Sequence, residues 1–220
     1  MTIPATPAIT NSATAIAAAR AWRAMRALPG MTGVVIVLIL WQIASLVYPL
    51  VWSYYAIAQF GWSNALIGIS LAVVGVTIAI SQIFLTGPLV KKYGERDAAT
   101  IGLVAATLGF IVYAVIDQSW MAFAAMVAIA VQGLVQPSLM AMLSRRATPE
   151  TQGEVQGISS MALGIGGIVA PFVLNPAMAY FTSDAAPFRF AGAAFAVAAV
   201  FAIVAIVVLR QLPRATPQSS

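Results

Sequence analysis

The side chains that could do chemistry in this sequence are amides, hydroxyls and indoles set inside apolar runs. Gln132 and Gln136 stand one turn apart. Gln82 shares a run with Ser70, Thr77 and Ser81, and Trp41, Gln42, Ser45 and Tyr48 share another. Such groups offer hydrogen bonds, not protons. An amide left unpaired in an apolar phase is costly, so each must face a neighbouring helix or a water-filled cavity. Two readings stay open for each: the wall of a substrate cavity, or glue between helices. Spacing of four places Gln132 and Gln136 on one helix face, with Pro137 loosening the backbone beside them, and favours that pair as cavity wall.

What is missing limits the function further. No Asp, Glu, Lys or Arg lies well inside any apolar run, and the chain has no histidine and no cysteine. A membrane hydrolase needs a base, a nucleophile or a metal site. A proton pathway needs an ionisable group at depth. The sequence supplies neither, which predicts a protein that is no enzyme, holds no metal or cofactor, and runs no side-chain proton relay of its own.

Composition places these residues in a bilayer. Hydrophobic residues make up 61% of the 220 and charged residues 8%, against about 25% charged in soluble domains. Six runs are each close to the ~20 residues that cross a hydrocarbon core. They cover about Thr32 to Trp52, Ala65 to Gly87, Ala98 to Ile116, Trp120 to Ser144, Val155 to Leu174 and Phe190 to Leu209. The fold expected is an all-α membrane bundle over residues 31–211. Residues 1–30 read as a disordered then amphipathic segment, and 212–220 as a disordered tail. Of eleven basic residues, only Arg189 falls outside the segments that six spans place on one side. The positive-inside rule then makes both termini cytoplasmic, and the net charge of +5 needs no nucleic acid to explain it.

Two stretches add detail. Gly87-Pro-Leu-Val-Lys-Lys-Tyr-Gly-Glu-Arg-Asp97 reads as a glycine-bracketed cytoplasmic hairpin, with Gly87, Leu89, Lys91, Lys92, Gly94 and Arg96 as its motif. The fifth run carries Ala162, Gly166 and Ala170 at spacing four, with Ser160 and Gly164 beside them. This stripe suits close packing, either static or as a rocking contact between bundles. Pro171 and Pro176 should kink that helix or mark its end. Asn175-Pro176-Ala177 spells the aquaporin half-helix signature, but as a single copy at an expected helix end it reads as coincidence.

From about Phe60 to Pro171 the chain resembles the C-terminal half of the tetracycline-efflux branch of the major facilitator superfamily. The matching pieces are Phe60-Gly61-Trp62, Gly68-Ile69-Ser70-Leu71-Ala72, the Gly87 to Arg96 motif, Trp120, Pro137 and Ser144. Gln152-Gly153 and Gln156-Gly157, with Gly167 and Pro171 further on, complete the pattern. The resemblance implies a half bundle built as a 3+3 inverted repeat. It would export a small molecule by rocking against a second six-helix unit, in the bacterial inner membrane. That unit could be another chain, a second copy or an N-terminal part. It also implies that the charged motif controls closure on the cytoplasmic side. Trp41, Gln42, Tyr48, Gln82, Gln132 and Gln136 are the expected cavity residues; Gln152, Gly153, Gln156, Gly157, Gly166, Gly167 and Pro171 are the expected rocking surface. Where the branch carries a histidine and an aspartate, this chain has Ile78 and Ala106, so any coupling acid must come from elsewhere. The other reading is a membrane remnant or interaction subunit without transport.

Overall fold

The computed structural model describes residues 30–148 and 151–213; the expectations for residues 1–29 and 214–220 lie outside them. Six helices long and apolar enough to cross a membrane follow one another: α1 Met31–Phe60, α2 Asn64–Tyr93, α3 Glu95–Val115, α4 Ser119–Ser144, α5 Gln152–Thr182 and α6 Ala193–Gln211. In lipid every backbone polar group must be satisfied within the protein, so each apolar run closes its own hydrogen bonds as a helix. The described residues form an all-α half bundle, as the sequence predicts.

α1, α2 and α5 run well past the expected limits, and each passes its prolines without ending. Each proline removes one donor and crowds the carbonyl four residues back. These helices absorb that locally instead of ending. α1 passes a turn at Leu46, just before Pro49, and stops only at Gly61, whose φ is +66°. α2 widens into a π segment over Gln82–Thr86 ahead of Pro88. α4 tightens into a 3-10 segment over Ile129–Leu134 ahead of Pro137. α5 contains both Pro171 and Pro176. Asn175-Pro176-Ala177 therefore lies within a continuous helix and not at a helix end.

The core forms where α1, α3 and α6 meet. α6 presents Ala194, Ala198, Ala202 and Ala205 to its neighbours, all fully buried, and such small side chains let helix backbones approach. α5 packs chiefly on α1, and α3 on α4. α2 leans on α4 at the edge of the bundle. Of the eighteen residues Asn64–Ser81, only Ile67, Ser70 and Ser81 are buried.

Candidate functional site

The six expected cavity residues do not form one site. Trp41 is buried, and Gln42 packs against α5, where a Cβ added at Gly166 would stand 2.6 Å from the Gln42 Cβ. The Tyr48 ring sits among Phe110, Tyr113 and Phe195, with centroids 5.7, 6.1 and 5.8 Å away. Its hydroxyl faces the Gln132 side chain, yet neither Tyr48 Oη nor Gln132 Oε1 reaches hydrogen-bond geometry. Those two residues are the pair the fold brings together. Gln82 and Gln136 lie on exposed surfaces.

The separation of Gln132 from Gln136 corrects the expectation of a shared face. A 3-10 turn advances each residue by about 120° against about 100° in an α-helix. Through Ile129–Leu134 the extra rotation carries Gln136 off the face that buries Gln132. Ser81 Oγ, 3.6 Å from where a Cβ at Gly133 would stand, adds to the polar character of this level, and Ser138 Oγ lies further along α4; both are buried and without a hydrogen-bond partner among the described residues. Ser138 was missed by sequence reasoning; a serine directly after Pro137 inside a span was the available signal.

The end of the bundle away from the basic residues is fastened by aromatic side chains. Trp52 Nε1 donates to Ser70 Oγ at 2.9 Å, joining α1 to α2. Trp62 Nε1 donates to Ser119 Oγ at 2.8 Å, and its ring stacks on Phe123 at 5.1 Å. Gln59 Nε2 donates to the Ile116 carbonyl at 2.8 Å, and Tyr55 Oη to that of Tyr113. An aromatic tip that finds a partner keeps both its apolar area and its polar group satisfied.

The charged end is organised differently from the expected hairpin. Gly87 is helical, and residues Gly87–Tyr93 continue α2. The turn is made by Gly94 alone, at φ +79° and ψ 165°, a region that only glycine occupies without strain. Pro88 lies within this continuous helix, and the π segment before it takes up the hydrogen bond that the proline cannot make. Leu89 is half-buried, Lys91 and Lys92 are exposed, and Lys92 Nζ lies 5.0 Å from the Tyr93 ring centroid. Arg96 begins α3 and donates to the Arg210 carbonyl at the end of α6, at 2.7 Å. Arg210 approaches Asp97 at 3.5 Å, and Arg145 at the end of α4 pairs with Glu95 at 2.5 Å. One short stretch at the start of α3 thus ties down two other helix ends. Next to it, partial burial lowers the pKa of Arg146, whose guanidinium lies close to Gly30.

α5 carries two stripes of small residues. Ala162, Gly166 and Ala170 are buried against α1, with Ile39 and Gln42 directly below Gly166. The other stripe is Gly153, Gly157, Ser160 and Gly164, all exposed, beside exposed Gln152 and Gln156. A Cβ at Gly153, Gly157, Gly164 or Gly167 would meet nothing within 4 Å. Gly167 and Pro171 continue this outer stripe at its far end and are half-buried. α2 repeats the pattern with Gly68, Ala72, Gly75, Ala79 and Gln82, all exposed. The outward faces of α3 and α6 differ, showing Leu108, Ile111, Val115, Val200, Ile203 and Val207. Ionisable residues in all six helices stay near their ends, and among the described residues no cluster of three or more acidic side chains could hold a metal.

Comparison with known proteins gives these surfaces a context. The family model of the Major Facilitator Superfamily matches residues 30–220. The class C tetracycline resistance protein of Escherichia coli is 31% identical over 170 residues, covering 77% of this chain and 42% of that protein. The class G protein of Vibrio anguillarum is 32% identical over 130 residues, covering 59% of this chain and 33% of its own length. The class H protein of Pasteurella multocida is 30% identical over 134 residues, with 59% and 34% covered. The matched segment spans less than half the length of each of these relatives. By this match over nearly all of its described helices, the chain belongs to the Major Facilitator Superfamily.

Proposed function

We propose that this chain is a six-helix half of a small-molecule exporter, working against a second six-helix unit across the outward faces of α2 and α5. The observation that carries the reading is the pair of exposed small-residue stripes on those helices. Without a hydrophobic drive between helices in lipid, close contact depends on small residues that let backbones meet. A lipid-facing surface gains nothing from glycine, and α3 and α6 show large aliphatic groups there instead. Similarity to tetracycline resistance proteins supports drug efflux as the class of activity.

The polar level at Tyr48, Gln132 and Ser81, with Ser138 further along α4 and Gln82 and Gln136 nearer the open faces, is this half's contribution to a substrate path. The charged cluster around Gly94 and Arg96 holds the cytoplasmic ends together and governs closure there. Both termini then face the cytoplasm of a bacterial inner membrane, as the distribution of basic residues supports. Single cysteines replacing Lys92 and Ser183 should label from opposite sides of the membrane, Lys92 from the cytoplasm; labelling of both from one side would overturn the six-span topology, and exchanged sides would reverse the orientation.

Proton coupling must come from the other unit. The branch's acidic and histidine positions hold Ala106, fully buried, and Ile78, half-buried, and amides do not titrate. The test is flux of a tetracycline into liposomes containing the purified chain under an imposed pH gradient. The expected result is background flux for the chain alone and coupled flux only after a second six-helix unit is added. Coupled flux by the chain alone would refute the reading.

A further inference from the structure

Between the ends of α2 and α4 lies an open crevice of about 650 Å³ that the transport reading does not use. It is amphipathic along its depth. At the rim stand Lys91, which has no acidic partner among the described residues, and Arg145, which pairs with Glu95. The walls below are Val90, Gly87, Pro137 and Ala141, without charge. Thr86 also lines it, and its Oγ1 is buried with no hydrogen-bond partner among the described residues. A second, smaller hollow adjoins it, sharing Gly94 and Arg145, and is lined by Arg96 and Arg146 as well as Glu95 and Asp97. Both of those carboxylates already face an arginine, Glu95 with Arg145 and Asp97 with Arg210. Lys91 is therefore the cation at the rim left without an acidic partner among the described residues, and its charge sits over an apolar slot.

We propose that this crevice binds an anionic phospholipid, its phosphate at Lys91 and Arg145 and one acyl chain lying along Val90, Gly87 and Pro137. The geometry follows from the fold. The π segment before Pro88 and the 3-10 segment before Pro137 disturb the facing surfaces of α2 and α4, and Gly87 offers no side chain to fill the gap. The crevice is open beside Lys91 and Arg145 at the charged end of the bundle, and an anionic cytoplasmic leaflet draws basic side chains at about 1 kcal/mol each. A free inorganic anion would match the rim but leave the apolar slot unexplained, so the lipid is the better occupant. Thr86 Oγ1 is placed to donate to an ester carbonyl of the same lipid. The inference rests on the cytoplasmic orientation given above, which cysteine labelling tests separately, and not on transport.

The test is native mass spectrometry of the purified full chain released from nanodiscs holding equal phosphatidylglycerol and phosphatidylcholine with identical acyl chains. Wild type should retain phosphatidylglycerol about fivefold over phosphatidylcholine, the ratio that one uncompensated cation provides. Lys91→Gln should remove most of that preference. Gly87→Leu adds a side chain where a Cβ meets nothing within 4 Å, so it fills the slot without straining the helix. It should lower lipid retention with the charge unchanged. Inorganic phosphate added in excess should not displace the lipid. Equal retention of the two lipids, or wild-type retention by both variants, would overturn the proposal. Displacement by inorganic phosphate would also overturn it, by identifying a free-anion site.

Discussion

The outward faces of α2 and α5 and those of α3 and α6 are both exposed in this chain but built from different residues. On α3 and α6 the exposed positions are leucine, isoleucine and valine, such as Leu108, Ile111, Val200 and Ile203. On α2 and α5 they include Gly68, Ala72, Gly75 and Ala79, and Gly153, Gly157, Ser160 and Gly164. Exposure alone would assign all four helices to lipid. The small residues separate them: α2 and α5 also expose large groups such as Ile69, Val76, Ile168 and Phe172, but only they carry exposed glycine and alanine stripes, which suit the close approach of another backbone.

The sharpest way to test that division is within α5, where small residues occupy both faces. Gly166→Leu should have the largest effect on folding, because a Cβ there already stands 2.6 Å from Gln42 and 3.2 Å from the Ile39 carbonyl. Overpacking of this kind costs about 1–3 kcal/mol, and rigid backbone on one side sets it at the upper end. Gly164→Leu meets nothing within 4 Å and should leave the unfolding midpoint of the isolated chain unchanged while impairing assembly with the second unit. Thermal unfolding of both variants in detergent decides the matter. Equal destabilisation would mean that the two stripes are not distinct.

A smaller effect is expected at the charged end, where Gly87 and Gly94 form a similar contrast. Gly94→Val forces a β-branched residue to φ +79°, at a cost of about 1–3 kcal/mol, and loosens the start of α3 that holds Arg210 and Arg145. Gly87→Ala, at φ −58° in helical backbone with open space around it, should be neutral or slightly stabilising. Urea unfolding of the two variants measures the difference. Loss of stability at Gly87 equal to that at Gly94 would restore the bracketed hairpin read from the sequence.

That hairpin shows how far the sequence could be read. The number of spans was legible, because a long apolar run in lipid has little choice but a helix. Proline marked no helix end: Pro171 and Pro176, read as a kink or an end, both lie inside the continuous α5, and a π turn carries α2 on to Pro88 and beyond. The site was less legible. Gln132 and Gln136 share a face only if the helix between them is regular, and the 3-10 turn that separates them has no clear mark beyond Pro137. The stripe at Ala162, Gly166 and Ala170 could be read as small, but no spacing rule tells an inner stripe from the outer one at Gly153, Gly157, Ser160 and Gly164. Only the packing of α1 against α5 makes that distinction.

The central claim is that the outer faces of α2 and α5 are covered by protein, and photo-crosslinking tests it most directly. Benzoylphenylalanine placed singly at Gly164 and at Val200, in the protein as expressed in its own membrane, reports what lies against each face. Irradiation followed by mass spectrometry should give peptide cross-links from position 164, within the same polypeptide or to another, and phospholipid adducts from position 200. Phospholipid adducts alone from position 164, matching those from position 200, would contradict the account.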